Sequence, residues 1–248
     1  MEPSTILSFE QAKRSVVIGG SDLFSGLSQS ERARISDLAR PRSFLKGDTL
    51  FSQGQPFRKL ILIESGCVKL TLLNRQGKEV ILALRGVGDA VDLPIGTTHS
   101  THSCSAQAVT RGHALTWMAA DVEDMIVRLP QFTENMYLIL HRHMHELEER
   151  YHESASDSVS RRLACTLIRL TEQIGIPNGE GAEIHISRYE LAQMSGMTLF
   201  TVSRLISKWA KLGLIVPRRE ALVMLDSKRL DDLTSSGDPS VDDAAAAF

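Results

Sequence analysis

The stretch that most limits what this chain can fold into lies near its end: "SRYELAQMSGMTLFTVSRLISKWAKLGLIVPRRE", residues 187–220. Ser187 with Glu190 three positions on has the spacing of a capping box, which predicts a helix running to about Met194. Ser195-Gly196-Met197 then reads as a tight turn, with a glycine free to take positive φ. Thr198 is placed to cap a second helix, in which Val202, Leu205, Ile206, Trp209 and Leu212 recur at helical spacing and form a buried face. The opposite face carries Leu199, Phe200, Ser203, Arg204, Ser207, Lys208 and Lys211. Two short strands around Arg218-Arg219 follow, as a wing would. Turn, cap, polar outer face and wing together predict a winged helix-turn-helix, a module that lays its second helix in the DNA major groove.

The charge distribution agrees. The whole chain has a formal net charge of −2. Val159 to Leu230, however, carries eleven Lys/Arg against six Asp/Glu, while Gln131 to Ser158 carries two Arg against six acids. A basic C-terminal third behind an acidic segment fits a nucleic-acid module attached to another domain.

That other domain reads as β. Between residues 43 and 118, runs such as "KLILIESGCVKLTLL" and "KEVILALR" are divided by turn signals at Gly47-Asp48, Ser65-Gly66, Gln76-Gly77 and Gly88-Asp89. Short strands between Gly-containing turns predict a compact antiparallel barrel or jelly roll. "SQSERARISDLAR" in front of it predicts a helix capped by Ser28 or Ser30 and stopped before Pro41. After Pro130 the period changes. Tyr137, Leu140, Met144, Leu147, Tyr151 and Ser154 alternate spacings of three and four, a heptad seam on one helix. The seam is too short for an isolated coiled coil, but it can join two chains. "SVSRRLACTLIRLTEQIG" predicts a further helix ending at Gly175, and "TSSGDPSVDDAAAAF" has the composition of a disordered tail. The fold class expected is therefore α+β, divided as an extension (1–22), a β-roll (23–130), a dimerisation helix (131–158), a winged helix-turn-helix domain (159–233) and a tail (234–248).

Three scattered cysteines, Cys67, Cys104 and Cys165, indicate neither a disulfide framework nor a CxxC metal site. With no apolar run of membrane-spanning length and no secretory order at the N-terminus, the expected location is the cytoplasm.

In this order, barrel, long helix, then "GMTLFTVSRLISKWAKLGLI", the chain resembles the CRP/FNR family of bacterial transcription regulators, over about residues 23 to 230. Thr201-Val202-Ser203-Arg204 is similar to the core of that family's recognition helix, and "ESGCVKL", "RQGKEVILALRGVGD" and "RRLACTLIRL" fall where the family has its barrel hairpins and the helix opening its DNA domain. The resemblance implies a homodimer joined through Tyr137, Leu140, Met144, Leu147 and Tyr151, binding a pseudo-palindromic promoter site on double-stranded DNA and meeting RNA polymerase. Arg204 can read guanine O6 and N7 bidentately, and Ser203 can reach a base edge. Thr198, Thr201, Lys208, Lys211, Arg218 and Arg219 are placed for phosphates, which position the protein without reading sequence. Relatives usually carry Glu where this chain has Phe200, whose ring favours a thymine methyl over a base amino group. The expected site keeps the Arg-read G·C pair and differs beside it.

Members that bind cyclic nucleotides use a Glu for the ribose and an Arg-Ser pair for the phosphate. Here the matching segment is "GDAVDLPIGTTHSTHSCSAQAVT", with Cys104-Ser105 near the place of the Arg-Ser pair and no Glu or Arg from Gly88 to Thr110. Without a guanidinium, the charge-assisted phosphate contact is lost, which argues against cyclic AMP. No cysteine precedes Cys67, which argues against the oxygen-sensing branch's iron–sulfur cluster. Asp92, His99, His102, Cys104 and Ser105 remain as effector-pocket candidates. His141 and His145, four apart on one helix face, leave a metal or haem open as cofactor; the alternative is surface or pH-responsive histidines. Cys104 is also a candidate redox-sensing thiol. A cupin-like metal-binding barrel enzyme is the rival reading, from His99-x-x-His102. It lacks the His-x-His spacing and has no Glu before Glu123, and it explains neither helix-turn-helix nor wing. No Ser/His/Asp arrangement, P-loop or GxGxxG supports other catalysis.

Overall fold

The computed structural model describes residues 14–73, 77, 79–94 and 100–235. Its helices are α1 (residues 14–20), α2 (Gln29–Leu38), α3 (Ala119–Arg128), α4 (Pro130–Ser156), α5 (Val159–Ile174), α6 (Arg188–Ser195), α7 (Leu199–Lys211) and α8 (Ser227–Ser235). The N-terminal strands are β1 (Arg40–Phe44), β2 (Thr49–Phe51), β3 (Lys59–Ser65), β4 (Val68–Leu73), β5 (Glu79–Arg85), β6 (Ser105–Ala108) and β7 (Gly112–Met118). The C-terminal ones are β8 (Ile176–Pro177), β9 (Ala182–Ile184), β10 (Ile215–Arg218) and β11 (Ala221–Met224). By contacts the chain forms two units, residues 1–72 with 85–145, and residues 73–84 with 146–248.

In the first unit, β1-β7-β3 make one antiparallel sheet, and β2, β6 and β4 lie in that order in a second. Pairing Leu60 with Trp117 and Leu62 with Leu115 puts these four apolar residues on one face, because strand side chains alternate. That face packs on Ile18, Ile35, Val122, Met125, Phe132, Met136 and Ile139 from the helices. The alternate residues Ile61, Ile63, Ala114 and Thr116 are buried as well, so both faces of this sheet are covered. Trp117 lies at the centre, fully buried, its Nε1 donating to Ile35 O at 2.8 Å and its ring 5.5 Å from that of Phe24. Burying that indole polar group without the partner would forfeit stability, which is why an internal Trp reaches a carbonyl.

Two prolines and a glycine show local sequence choosing position. Pro41 sits in β1, an edge strand with one neighbour, and Pro217 in β10, likewise an edge; neither removes a donor that a second neighbour needs. Pro41 thus stands in a strand, two residues past the C-cap Ala39 of the capping-box helix that Ser28 starts. Gly66 turns β3 into β4 at φ +89°, where a Cβ would come within 2.7 Å of Arg111 O.

Several elements went unread in the sequence. Helix α3 follows β7 directly. After Gly175 the chain forms β8 and β9, and the residues from 227 on form α8. Ile18, in the segment taken as an extension, is part of the first unit's core. The beginning of α4 is fixed by Asn135, whose buried amide donates to Leu23 O at 3.0 Å and Ser25 O at 2.8 Å. The tail from 236, His99 and the Gln76 turn position lie outside the described residues.

In the second unit, α5 buries Leu163, Ala164, Leu167 and Leu170 and packs on α6 and α8. β10-β11-β9-β8 form a four-stranded antiparallel sheet, so the wing hairpin is broadened by the two strands that precede α6.

Candidate nucleic-acid interface and sensor site

The helix-turn-helix forms as its residue spacing predicts. Glu190 N donates to Ser187 Oγ at 3.2 Å and Ser187 N to Glu190 Oε2 at 2.8 Å, a reciprocal cap that starts α6. Gly196 ends it in the left-handed region, φ +65° and ψ +34°. Thr201 N donates to Thr198 Oγ1 at 3.1 Å and starts α7. Val202, Leu205, Ile206 and Trp209 are buried, as an amphipathic helix docked on its neighbours requires. Leu212 departs from the expected face: it is the C-cap of α7, past the last helical turn, and is 41% exposed.

The other face of α7 is presented outward. Phe200 is 76% exposed and Leu199 49%. Arg204, Ser207 and Lys211 are exposed, and Ser203, Thr201 and Lys208 half-buried. The wing turns at Arg219-Glu220, with Glu220 at φ +55°, so Arg218 falls in β10 rather than at the tip. There its guanidinium meets Glu180 Oε2 at 3.2 Å. A phosphate would have to compete with that carboxylate at Arg218, whereas among the described residues no carboxylate pairs with Arg219.

In the first unit, the structure joins two of the effector-pocket residues. Asp92 Oδ2 lies 2.6 Å from His102 Nδ1, and the imidazole stacks on Phe51 with centroids 3.8 Å apart. His102 is buried, as is Cys104. Burial pushes the Cys104 thiol up to about 11, with the Asp92 charge adding to the rise. A thiol held protonated is a poor nucleophile, which speaks against a redox-sensing thiolate. Ser105 is drawn away, its Oγ accepting from Gln53 N at 3.0 Å.

The sequence reading passed over Arg85 in this region. It ends β5, is buried, and is near enough to Cys104 and to His143 to affect the titration of both. Its signal was position: it follows an apolar strand directly and so enters the interior before the chain turns at Gly88. His143, between His141 and His145 on α4, behaves differently from a surface imidazole. Desolvation, with the charges of Arg85 and Arg142, lowers its pKa from 6.5 to about 3, so it is neutral at physiological pH rather than pH-responsive there. His141, His145 and His152 are exposed on α4. Among the described residues, no three His, Cys, Asp or Glu side chains gather as metal ligands.

On α4, Tyr137, Met144, Leu147 and Tyr151 are exposed at 69%, 63%, 50% and 77%. Leu140, from the same seam, is half-buried against the chain's own core. Beside it runs a shallow groove of about 710 Å³ lined by Pro130, Thr133, Tyr137, Leu138 and Met144 among others.

Comparison with known proteins gives this geometry its setting. Residues 41–128 match the description "Cyclic nucleotide-binding domain" and residues 161–233 "Crp-like helix-turn-helix domain". The "Cyclic AMP receptor protein" of Thermus thermophilus is 30% identical over 196 residues, 79% of this chain and 88% of that protein. The chain belongs to the CRP/FNR family. It is a transcription regulator of that type with a helix-turn-helix DNA-binding domain. The "CRP-like cAMP-activated global transcriptional regulator" of Mycobacterium tuberculosis is 24% identical over 216 residues, 86% of this chain and 96% of the relative. FixK2 from Bradyrhizobium japonicum shares the fold with a TM-score of 0.70 at 19% identity, over 79% of this chain and 96% of that one. The β-roll, helix and helix-turn-helix order is that of CRP/FNR structures, and no finding supports the cupin-like enzyme. Among the described residues no helix is long and apolar enough to cross a membrane.

Proposed function

We propose that this CRP/FNR regulator acts in the cytoplasm as a homodimer, not as an enzyme, and that it binds a pseudo-palindromic promoter site and there meets RNA polymerase. The observation that carries the dimer is the apolar face of α4. Tyr137, Met144, Leu147 and Tyr151 recur at heptad spacing and are left uncovered by their own chain. A second copy related by a two-fold axis covers each face with the other. The recognition helices then sit one DNA turn apart, with Arg204 and Ser203 at base edges, Phe200 against a thymine methyl, and Lys208, Lys211 and Arg219 near phosphates.

The roll serves as the sensor, and its ligand is not cyclic AMP held in the family's usual manner. The segment from Gly88 to Thr110 contributes no guanidinium; near Cys104 the charges are those of Asp92, which would repel a phosphate, and of Arg85 from β5, which is buried. A change in the roll alters the packing of α4 around Leu140, Met144 and Leu147, and so the separation of the two recognition helices.

The test is selection of bound duplexes from a random pool at fixed salt, with the full chain as isolated and after metal stripping, followed by calorimetric titration with cyclic AMP. A two-fold symmetric site enriched in both samples, and no heat with cyclic AMP, are the expected results. Enrichment of an asymmetric single half-site would overturn the dimer, and tight cyclic AMP binding would overturn the sensor reading.

A further inference from the structure

Arg150 is a half-buried charge that neither the DNA face nor the Asp92–His102 pair employs. It projects from α4 within the second unit. Its Nη1 donates to Leu82 O, and its Nη2 reaches Ile81 O at 3.4 Å and Met194 O at 3.3 Å. One guanidinium therefore joins strand β5 to the last turn of α6. A residue earlier, Gln193 Nε2 donates to Glu79 O at 3.4 Å, so the same helix end is tied twice to the same strand.

The acceptor on α6 is a C-terminal carbonyl, one of the last four that have no intrahelical donor and that carry the negative end of the helix dipole. A cation suits it. The carboxylates that could have taken Arg150 instead are engaged elsewhere: Glu153 holds Arg169 bidentately, at 3.1 Å to each nitrogen, and Glu146 accepts from Gln173 at 3.4 Å. Burial lowers the Arg150 pKa, Arg169 adds to that, and Glu153 and Glu146 oppose it. Taking a guanidinium out of water to meet carbonyls is a poor route to stability, since an apolar side chain of similar length fills such a space at less cost. A planar fork reaching three carbonyls on two elements is, however, a good way to fix one element against another.

We propose that Arg150 is a positioning residue for DNA binding, fixing α6 on β5 and, through the Gly196 turn, setting the orientation of α7. The strand it grips is a single run of seven residues, Glu79 to Arg85. At its far end is the Arg85 that lies buried near Cys104 and His143.

This inference rests on the two-fold DNA-binding reading, and the experiment separates the two. Affinity of the full chain is measured for its selected palindrome and for the same duplex lengthened at its centre by about half a helical turn. Wild type is expected to favour the natural spacing strongly, because its recognition helices are held in place. Arg150→Met is expected to cut that preference by roughly tenfold, the scale of ordinary coupling between sites. Arg150→Lys, which keeps the charge and loses the fork, is expected to restore only part of it. An Arg150→Met protein with the wild-type preference overturns the proposal, whatever its melting temperature. So does an equal fall in both affinities, which marks a residue that merely stabilises. Should Arg150→Met not fold, Gln193→Leu removes the parallel tie and is read on the same ratio. A wild type without spacing preference overturns the two-fold reading, and this proposal with it.

Discussion

Asp92 and His102, ten residues apart in the sequence of the roll, meet at 2.6 Å, and Phe51 stacks on the imidazole with its plane 9° from parallel. Phe57 closes the ring from another side with centroids 5.5 Å apart. The imidazole is thus enclosed between aromatic faces and given one carboxylate partner. An unpaired buried imidazole would carry the desolvation cost of a polar group, so the carboxylate is what permits a histidine there.

Asp92→Ala removes that partner. The expected outcome is a loss of stability of about 1–3 kcal/mol, the usual cost of leaving a buried polar group unsatisfied. Urea unfolding of the variant, with unchanged m-value, measures it. His102→Phe in the Asp92→Ala background should recover part of the loss, since it replaces the orphaned polar ring by an apolar one between Phe51 and Phe57.

His143 makes stability depend on acid. Its pKa in the folded chain is about 3 against an ordinary 6.5, because burial disfavours the imidazolium and Arg85 and Arg142 repel it. The unfolded chain takes up this proton as pH falls below 6.5, and the folded chain does not. The contribution is therefore complete above 6.5 and declines steadily as pH falls toward about 3. Denaturant titrations across that window should show a smaller decline for His143→Gln than for wild type.

How much of this was readable beforehand divides along local and non-local lines. Ser187, Glu190, Gly196 and Thr198 act through neighbours three or four residues away, and their roles follow from spacing. So did the capped helix from Ser28, and the turn at Gly66. Arg150 was not readable, because its partners lie 44 to 69 residues away along the chain. His143 shows the same limit: it sits among exposed histidines in "HRHMHELEERYHE" and differs from them only in what packs on it. β8 and β9 were missed since two- and three-residue strands have no period; β9 forms on the edge of β11, and β8 on the edge of β9. Leu140 was assigned wholly to a partner chain by its heptad position, whereas the helix also serves its own roll.

Cys104 should prove inert in the native protein. Its thiol, pushed up to about 11 chiefly by burial, is almost entirely protonated at neutral pH. Alkylation followed by mass spectrometry is expected to modify it only after unfolding. Rapid labelling of the folded chain would return Cys104 to the redox-sensing role.

Leu147→Glu places a charge on the seam between Met144 and Tyr151, where two copies would set the charges against each other across an apolar interface. Sedimentation equilibrium is expected to show a dimer for wild type and a monomer for the variant, with the fold retained because Leu147 is half exposed in the single chain. Affinity for the palindrome should fall with the loss of the second half-site. A monomeric variant that still binds the palindrome as wild type does would disconnect dimerisation from recognition.

Arg204 and Lys208 lie four residues apart on α7, and their replacement should have different signatures. A guanidinium reading guanine O6 and N7 discriminates one base pair, so Arg204→Ala should relax selection at one G·C position in each half-site by about 1–3 kcal/mol. An ammonium on a phosphate reads no base, so Lys208→Ala should weaken all duplexes about equally and reduce the salt slope by about one. Phe200→Glu tests the neighbouring position. It removes a ring suited to a thymine methyl and adds an acceptor for a cytosine or adenine amino group, so selection beside the Arg204 pair should change in identity and not merely in strength. Binding measured over a set of single-base variants of the selected site reads all three substitutions at once. If Arg204→Ala instead lowers every variant by the same factor, its guanidinium belongs on phosphate and another side chain of α7 reads the G·C pair.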